Sequence, residues 1–194
     1  MIAFLLVLIL AAFGSLVAQH FIPPLEFLNG ARVFLMPMVL FYGALALPFG
    51  GMLMLAFACG FMWDALTVQI VSTASGAPPM VEIALGWSII LYALLGALIS
   101  GFRPLFQRGR WEIHCLMSGL CTSLIVLSEF LSLSVRRAAL FGAPFVFTPE
   151  IWWRIGGAGL VAFVLAPVGF LVLSTLAALV GYNPCRPSRD EEEI

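Results

Sequence analysis

The stretch FACGFMWDALTV, residues 57–68, carries one carboxylate, Asp64, inside a run with no other charge from Val33 to Met80. In so apolar a setting a carboxylate can accept hydrogen bonds, as a clamp between helices or a cap on a kinked one. Alternatively it lines a cavity and binds a ligand or partner. Helical spacing puts Ala56, Gly60, Asp64 and Thr67 on one face, a small-residue strip that lets a second helix approach closely. Asp64 and Gly60 are therefore candidates for a structural or partner-binding role. A second polar line, Ser118, Thr122, Glu129 and Ser132, recurs near the helical period. Its hydroxyls suit helix packing, and Glu129, close to a helix end, can snorkel to water. Arg32 reads as an interfacial anchor or as a partner for Asp64. Arg154 follows Glu150 at i+4, the spacing of a local pair.

Enzyme signatures are missing from the sequence: there is no GxSG with a matched histidine, no HExxH and no glycine-rich phosphate loop. His20 and His114 fall at opposite helix ends in the topology below. The cysteines, Cys59, Cys115, Cys121 and Cys185, have neither CxxC nor metal-ligand spacing, so no metal and no cofactor is expected. A net charge of −1, with every basic residue an arginine, offers nucleic acid no electrostatic attraction.

The elements that must hold these residues follow from composition. The chain has 194 residues, 62% hydrophobic and 10% charged, with a mean hydropathy of +1.10. Soluble domains are about half apolar, so this surface needs lipid. The charge-free intervals Glu82 to Arg103, Glu112 to Glu129 and Arg154 to Arg186 are each long enough for a helix to cross a hydrocarbon core of about 30 Å. The reading is an all-α, polytopic integral membrane protein with six transmembrane helices, at about 2–18, 32–47, 51–70, 81–101, 113–135 and 149–182. The first lacks a basic n-region and reads as a retained helix rather than a leader. PFGG at 48–51 allows only a tight turn, which makes the second and third helices a hairpin. Thr148, Pro149 and Glu150 read as N-cap, N1 and N2 of the last helix. Residues 1–182 form one membrane domain, and 183–194, ending RDEEEI, read as a disordered acidic tail.

Six crossings put both termini on one side with Arg103, Arg108, Arg110, Arg186 and Arg189, against Arg32, Arg136, Arg137 and Arg154 opposite. The positive-inside rule then favours cytoplasmic termini. Small residues also recur on the fourth helix (Ala93, Ala97, Gly101) and the sixth (Ala158, Ala162, Ala166), an apparent surplus of close-packing faces for a partner helix.

Three stretches, in order, carry a family likeness: RVFLMPMVLFYGALALPFGGMLMLAFACGFMWDAL, GWSIILYALLGALISGFRPLFQRGR and APVGFLVLSTLAALVGY. They are an apolar hairpin ending in Gly-x-x-x-Asp, a Gly- and Tyr-containing helix running into an Arg-rich loop, and a Pro-containing last helix. In this the chain resembles the rod shape-determining protein MreD family. It departs from that pattern in a longer linker after Asp64 and a Pro-rich segment before the second helix. The resemblance implies a non-enzymatic inner-membrane scaffold of bacterial cell-wall elongation. It would act with an MreC-like protein and through it with the MreB cytoskeleton, a peptidoglycan synthase and a transpeptidase. MreD-like folds are also similar to the substrate-binding subunits of energy-coupling factor vitamin transporters, the alternative reading.

Overall fold

The structure is a computed structural model that describes residues 1–28, 30–67, 69–71, 80–82, 86–103, 111–141 and 148–182. Among these residues there are six α-helices: α1 (Ile2–Phe21), α2 (Met36–Ala46), α3 (Phe49–Leu66), α4 (Trp87–Gly101), α5 (Trp111–Phe141) and α6 (Pro149–Leu179). Four of them, α1, α3, α5 and α6, contain spans long and apolar enough to cross a membrane. Helices α2 and α4, of 11 and 15 residues, are about 16 and 22 Å long and fall short of the roughly 30 Å core on their own. Six helices, four of them with long apolar candidate spans, are consistent with a helical membrane protein.

Burial explains the short α2. Nearly every side of it is covered, from Met36 through Phe41 and on to Ala46, and it touches α1, α3, α4, α5 and α6. A helix apolar all round belongs inside a bundle, and α2 is the centre of this one. Around it α1 buries only the stripe Phe4, Leu8, Ala12 and Leu16, leaving Leu6, Leu10, Phe13 and Val17 exposed as a lipid-facing surface would be.

Two helix pairs pack at glycine contacts. At Gly60 of α3 a Cβ would lie 2.5 Å from Ile89 Cα and 2.6 Å from Ile89 N of α4, so only the missing side chain permits the approach. Antiparallel α5 and α6 meet at Gly119 and Gly159, where a Cβ on Gly119 would come 2.8 Å from the Gly159 carbonyl. Ala158, Ala162 and Ala166 are all buried. The small-residue strips of α3 and α6 are therefore used inside the bundle, while on α4 Ala93 and Ala97 are half-buried and Gly101 is exposed with nothing within 4 Å of an added Cβ.

The helix ends gather in two groups. At the terminal end, the Phe4 ring stacks on Tyr182 at 4.2 Å, and the Tyr182 hydroxyl donates to the Ala46 carbonyl at 2.9 Å. Arg103, just past α4, donates from Nε to the Leu45 carbonyl at 2.8 Å and from Nη2 to the Leu47 carbonyl at 2.7 Å. The last carbonyls of a helix have no partner within it, and a guanidinium there also complements the helix dipole. Both ends of the described chain and the α2–α3 turn thus share one end, as the parity of the helices requires.

Several boundaries differ from the sequence reading. Helix α3 stops at Leu66 rather than Ile70; the Thr67 hydroxyl bonds back to the Trp63 carbonyl. Beyond it Gln69–Val71 pairs antiparallel with Met80–Glu82, so α4 begins at Trp87 rather than near Val81. Ile70, Val71 and Val81 are β-branched and favour a strand once the helix has ended. Helix α5 runs on through RRAAL to Phe141, since that segment holds no breaker. Thr148 does occupy the N-cap of α6, but its side chain makes no capping bond. The expected acidic tail and the greater part of the expected linker, residues 72–79, lie outside the described residues, as do Cys185, Arg108 and Arg110.

Candidate functional site at the polar end

At the end opposite the termini the C-terminus of α3 meets the N-terminus of α4. Gly86, the N-cap of α4, has φ 109°, a conformation that glycine adopts without strain. That geometry turns its N–H toward α3, where it donates to Asp64 Oδ2 at 2.6 Å. Asp64 is only 5% exposed. A carboxylate at a helix N-terminus is favoured by the dipole as well as by the amide bond, so Asp64 fastens the end of α4 to α3. The close approach at Gly60, one turn earlier, brings the two helices near enough for this bond.

Trp63, adjacent to Asp64 and buried, lies beside the carboxylate of Glu129 on α5. Glu129 is half-buried. Asp64 and Arg32 both lie within electrostatic reach of it. Arg32, an exposed residue in the extended approach to α2, therefore acts on Glu129, while the hydrogen bond of Asp64 goes to a backbone amide. Phe34 packs its ring 5.7 Å from Trp63 and covers the cluster from the α2 side. Arg154 reaches the loop closed by the Leu25 and Ala31 backbone, where its Nε and Nη2 lie 3.9 Å from where a Cβ on Gly30 would be.

A further member was not singled out in the sequence. Tyr92 on α4 is 1% exposed, and its hydroxyl lies within electrostatic reach of Glu129, Cys59 and Asp64. Among the described residues that hydroxyl has no hydrogen-bond partner. A tyrosine in the apolar run IILYALL reads as packing, and its hydroxyl gives no sequence signal of what it faces.

Compared with known proteins, the chain matches no family model, no curated protein and no solved structure. The site must therefore be read from its chemistry. Among the described residues no group of three or more His, Cys, Asp or Glu side chains could hold a metal ion. His20 Nδ1 sits 2.8 Å from the Leu16 carbonyl of its own helix, and His114 lies edge-on to Phe170 in the other half of the bundle. Neither histidine joins the carboxylates. What the cluster does is fasten α3 to α4 through Asp64, with Trp63 of α3 and Glu129 of α5 beside that junction.

Proposed function

We propose that the chain is a non-enzymatic scaffold of the bacterial inner membrane, required for rod shape and working with an MreC-like protein, with both termini in the cytoplasm. The observation that carries this reading is the order of the three family-like stretches, which runs from Arg32 to Tyr182. The geometry is in keeping with it. Asp64, the most conspicuous polar residue of the hairpin, closes the bundle at one end, and Arg103 and Tyr182 close it at the other. A rigid body clamped at both ends suits a part that positions other proteins.

The bundle consumes the small-residue faces of α3 and α6, so a partner helix has to use others. The outer faces of α1 and α6 are open at Gly14 and Gly156, where an added Cβ would meet nothing within 4 Å. Glycine on an open face lets a second helix approach closely in lipid. Depletion tests the reading: rod-shaped cells should round up as the protein is lost. Normal rods after depletion, together with tight binding of a vitamin by the purified protein, would replace the scaffold with the transporter subunit.

A further inference from the structure

At the terminal end α1 does not close fully onto the α2–α3 turn. A groove of about 540 Å³ lies between them, lined by Ile2 and Leu5 of α1 and by Leu47, Pro48, Gly50 and Met54 of the hairpin, all of them apolar. Leu47, fully buried, belongs to its floor, while Ile2 and Met54 are exposed at its rim. Glycine keeps the space open, since a Cβ on Gly50 would meet nothing within 4 Å. Small-molecule sites occupy roughly 300–1,000 Å³. A helix about 10 Å across fills roughly 400 Å³ per turn, so little more than one turn of a partner helix could enter. A hydrocarbon chain is thinner and brings no backbone polar groups that would need partners in so apolar a place.

A second, independent observation supplies a charge. Arg103, just past α4, is half-buried, and its Nε and Nη2 donate to the Leu45 and Leu47 carbonyls. Those acceptors are neutral, and among the described residues no carboxylate pairs with the guanidinium and Nη1 has no acceptor. Glu112, the acid at the start of α5, is exposed and makes no bond to it. Leu47 joins the two features, for its carbonyl lies 2.7 Å from Arg103 Nη2 and its side chain belongs to the groove. A guanidinium is suited to a phosphate by charge and by its fork of donors, and basic pockets at the membrane ends of helices hold anionic headgroups. We propose that this end of the bundle binds one anionic phospholipid, with an acyl chain in the groove between α1 and the α2–α3 turn and the phosphate on Arg103. The lipid would brace α1 against the hairpin. This inference stands independently of the scaffold reading.

The test is native mass spectrometry of the purified full-length chain in mild detergent, titrated with phosphatidylglycerol and, separately, with phosphatidylcholine of the same acyl chains. One phosphatidylglycerol should bind at a concentration at least fivefold lower than phosphatidylcholine. Gly50→Leu, which fills the groove from an open position, should weaken phosphatidylglycerol binding at least fivefold. Arg103→Gln, which still donates to a carbonyl but carries no charge, should bring the two lipids to equal affinity. Equal binding of both lipids by the wild type would overturn the site. So would phosphatidylglycerol binding that Gly50→Leu leaves unchanged, whatever the outcome with Arg103→Gln, because the lipid would then sit elsewhere.

Discussion

Replacing Gly60 by alanine adds one carbon where α3 and α4 touch, and its cost can be worked from the geometry. The new Cβ would lie 2.5 Å from Ile89 Cα and 2.6 Å from Ile89 N, against 3.4–4 Å for ordinary contact. Both obstructing atoms are backbone, so no rotamer change relieves the clash and the helices must separate by about 1 Å, an overpacking that typically costs about 1–3 kcal/mol. Alanine returns about 0.5–1 kcal/mol through its better helix propensity. The net expectation is a loss of up to about 2.5 kcal/mol, increased by the strain that separation puts on the bond from Gly86 to Asp64. Gly14→Ala is the matched control, because nothing lies within 4 Å of its added carbon; it should be neutral or stabilising by up to about 1 kcal/mol. Reversible unfolding in mixed micelles with increasing SDS measures both. A Gly60→Ala protein as stable as the Gly14→Ala protein would refute the contact.

Asp64→Asn keeps an acceptor for the Gly86 amide and should retain more folded protein and more function than Asp64→Leu, which orphans that amide at a cost of about 1–3 kcal/mol; equal complementation by the two would remove the clamp. At the terminal end Arg103→Leu leaves the Leu45 and Leu47 carbonyls without their cation and should lower stability by about 1.5–3 kcal/mol, whereas Tyr182→Phe, losing one bond, should cost about 0.5–1.5 kcal/mol in the same micellar assay. Cys185 should resist a membrane-impermeant thiol reagent in intact cells and react after lysis, since Cys59, Cys115 and Cys121 are buried and do not compete; labelling in intact cells would invert the proposed orientation.

How far these features were legible depends on what kind of partner each residue has. The long helices α1, α5 and α6 follow from unbroken apolar runs, which set their existence if not their ends. The shortness of α2 was hidden because the VFL before it is as apolar as the helix itself. With α2 buried all round, no periodicity marks where it starts. Asp64 stood out as a lone charge, yet its partner is the backbone of Gly86, and a backbone donor has no residue type to recognise. Arg103 was legible only as a count toward orientation, because its acceptors are main-chain carbonyls of another helix, Leu45 and Leu47. Trp63 and Tyr92 were not singled out in the sequence. Their polar atoms acquire meaning only when α4 and α5 bring Glu129 and Asp64 beside them.

The scaffold reading stands or falls on one interaction. The tagged protein, co-expressed with the MreC-like protein of the same cell and purified in mild detergent, should bring that protein down in stoichiometric amount. Gly14→Leu or Gly156→Leu, which fill open positions on the outer faces of α1 and α6 without touching the bundle, should reduce the recovery at least fivefold while leaving the elution profile of the protein itself unchanged. Recovery of the protein alone, from cells in which the MreC-like protein is demonstrably present in the same membranes, would contradict it.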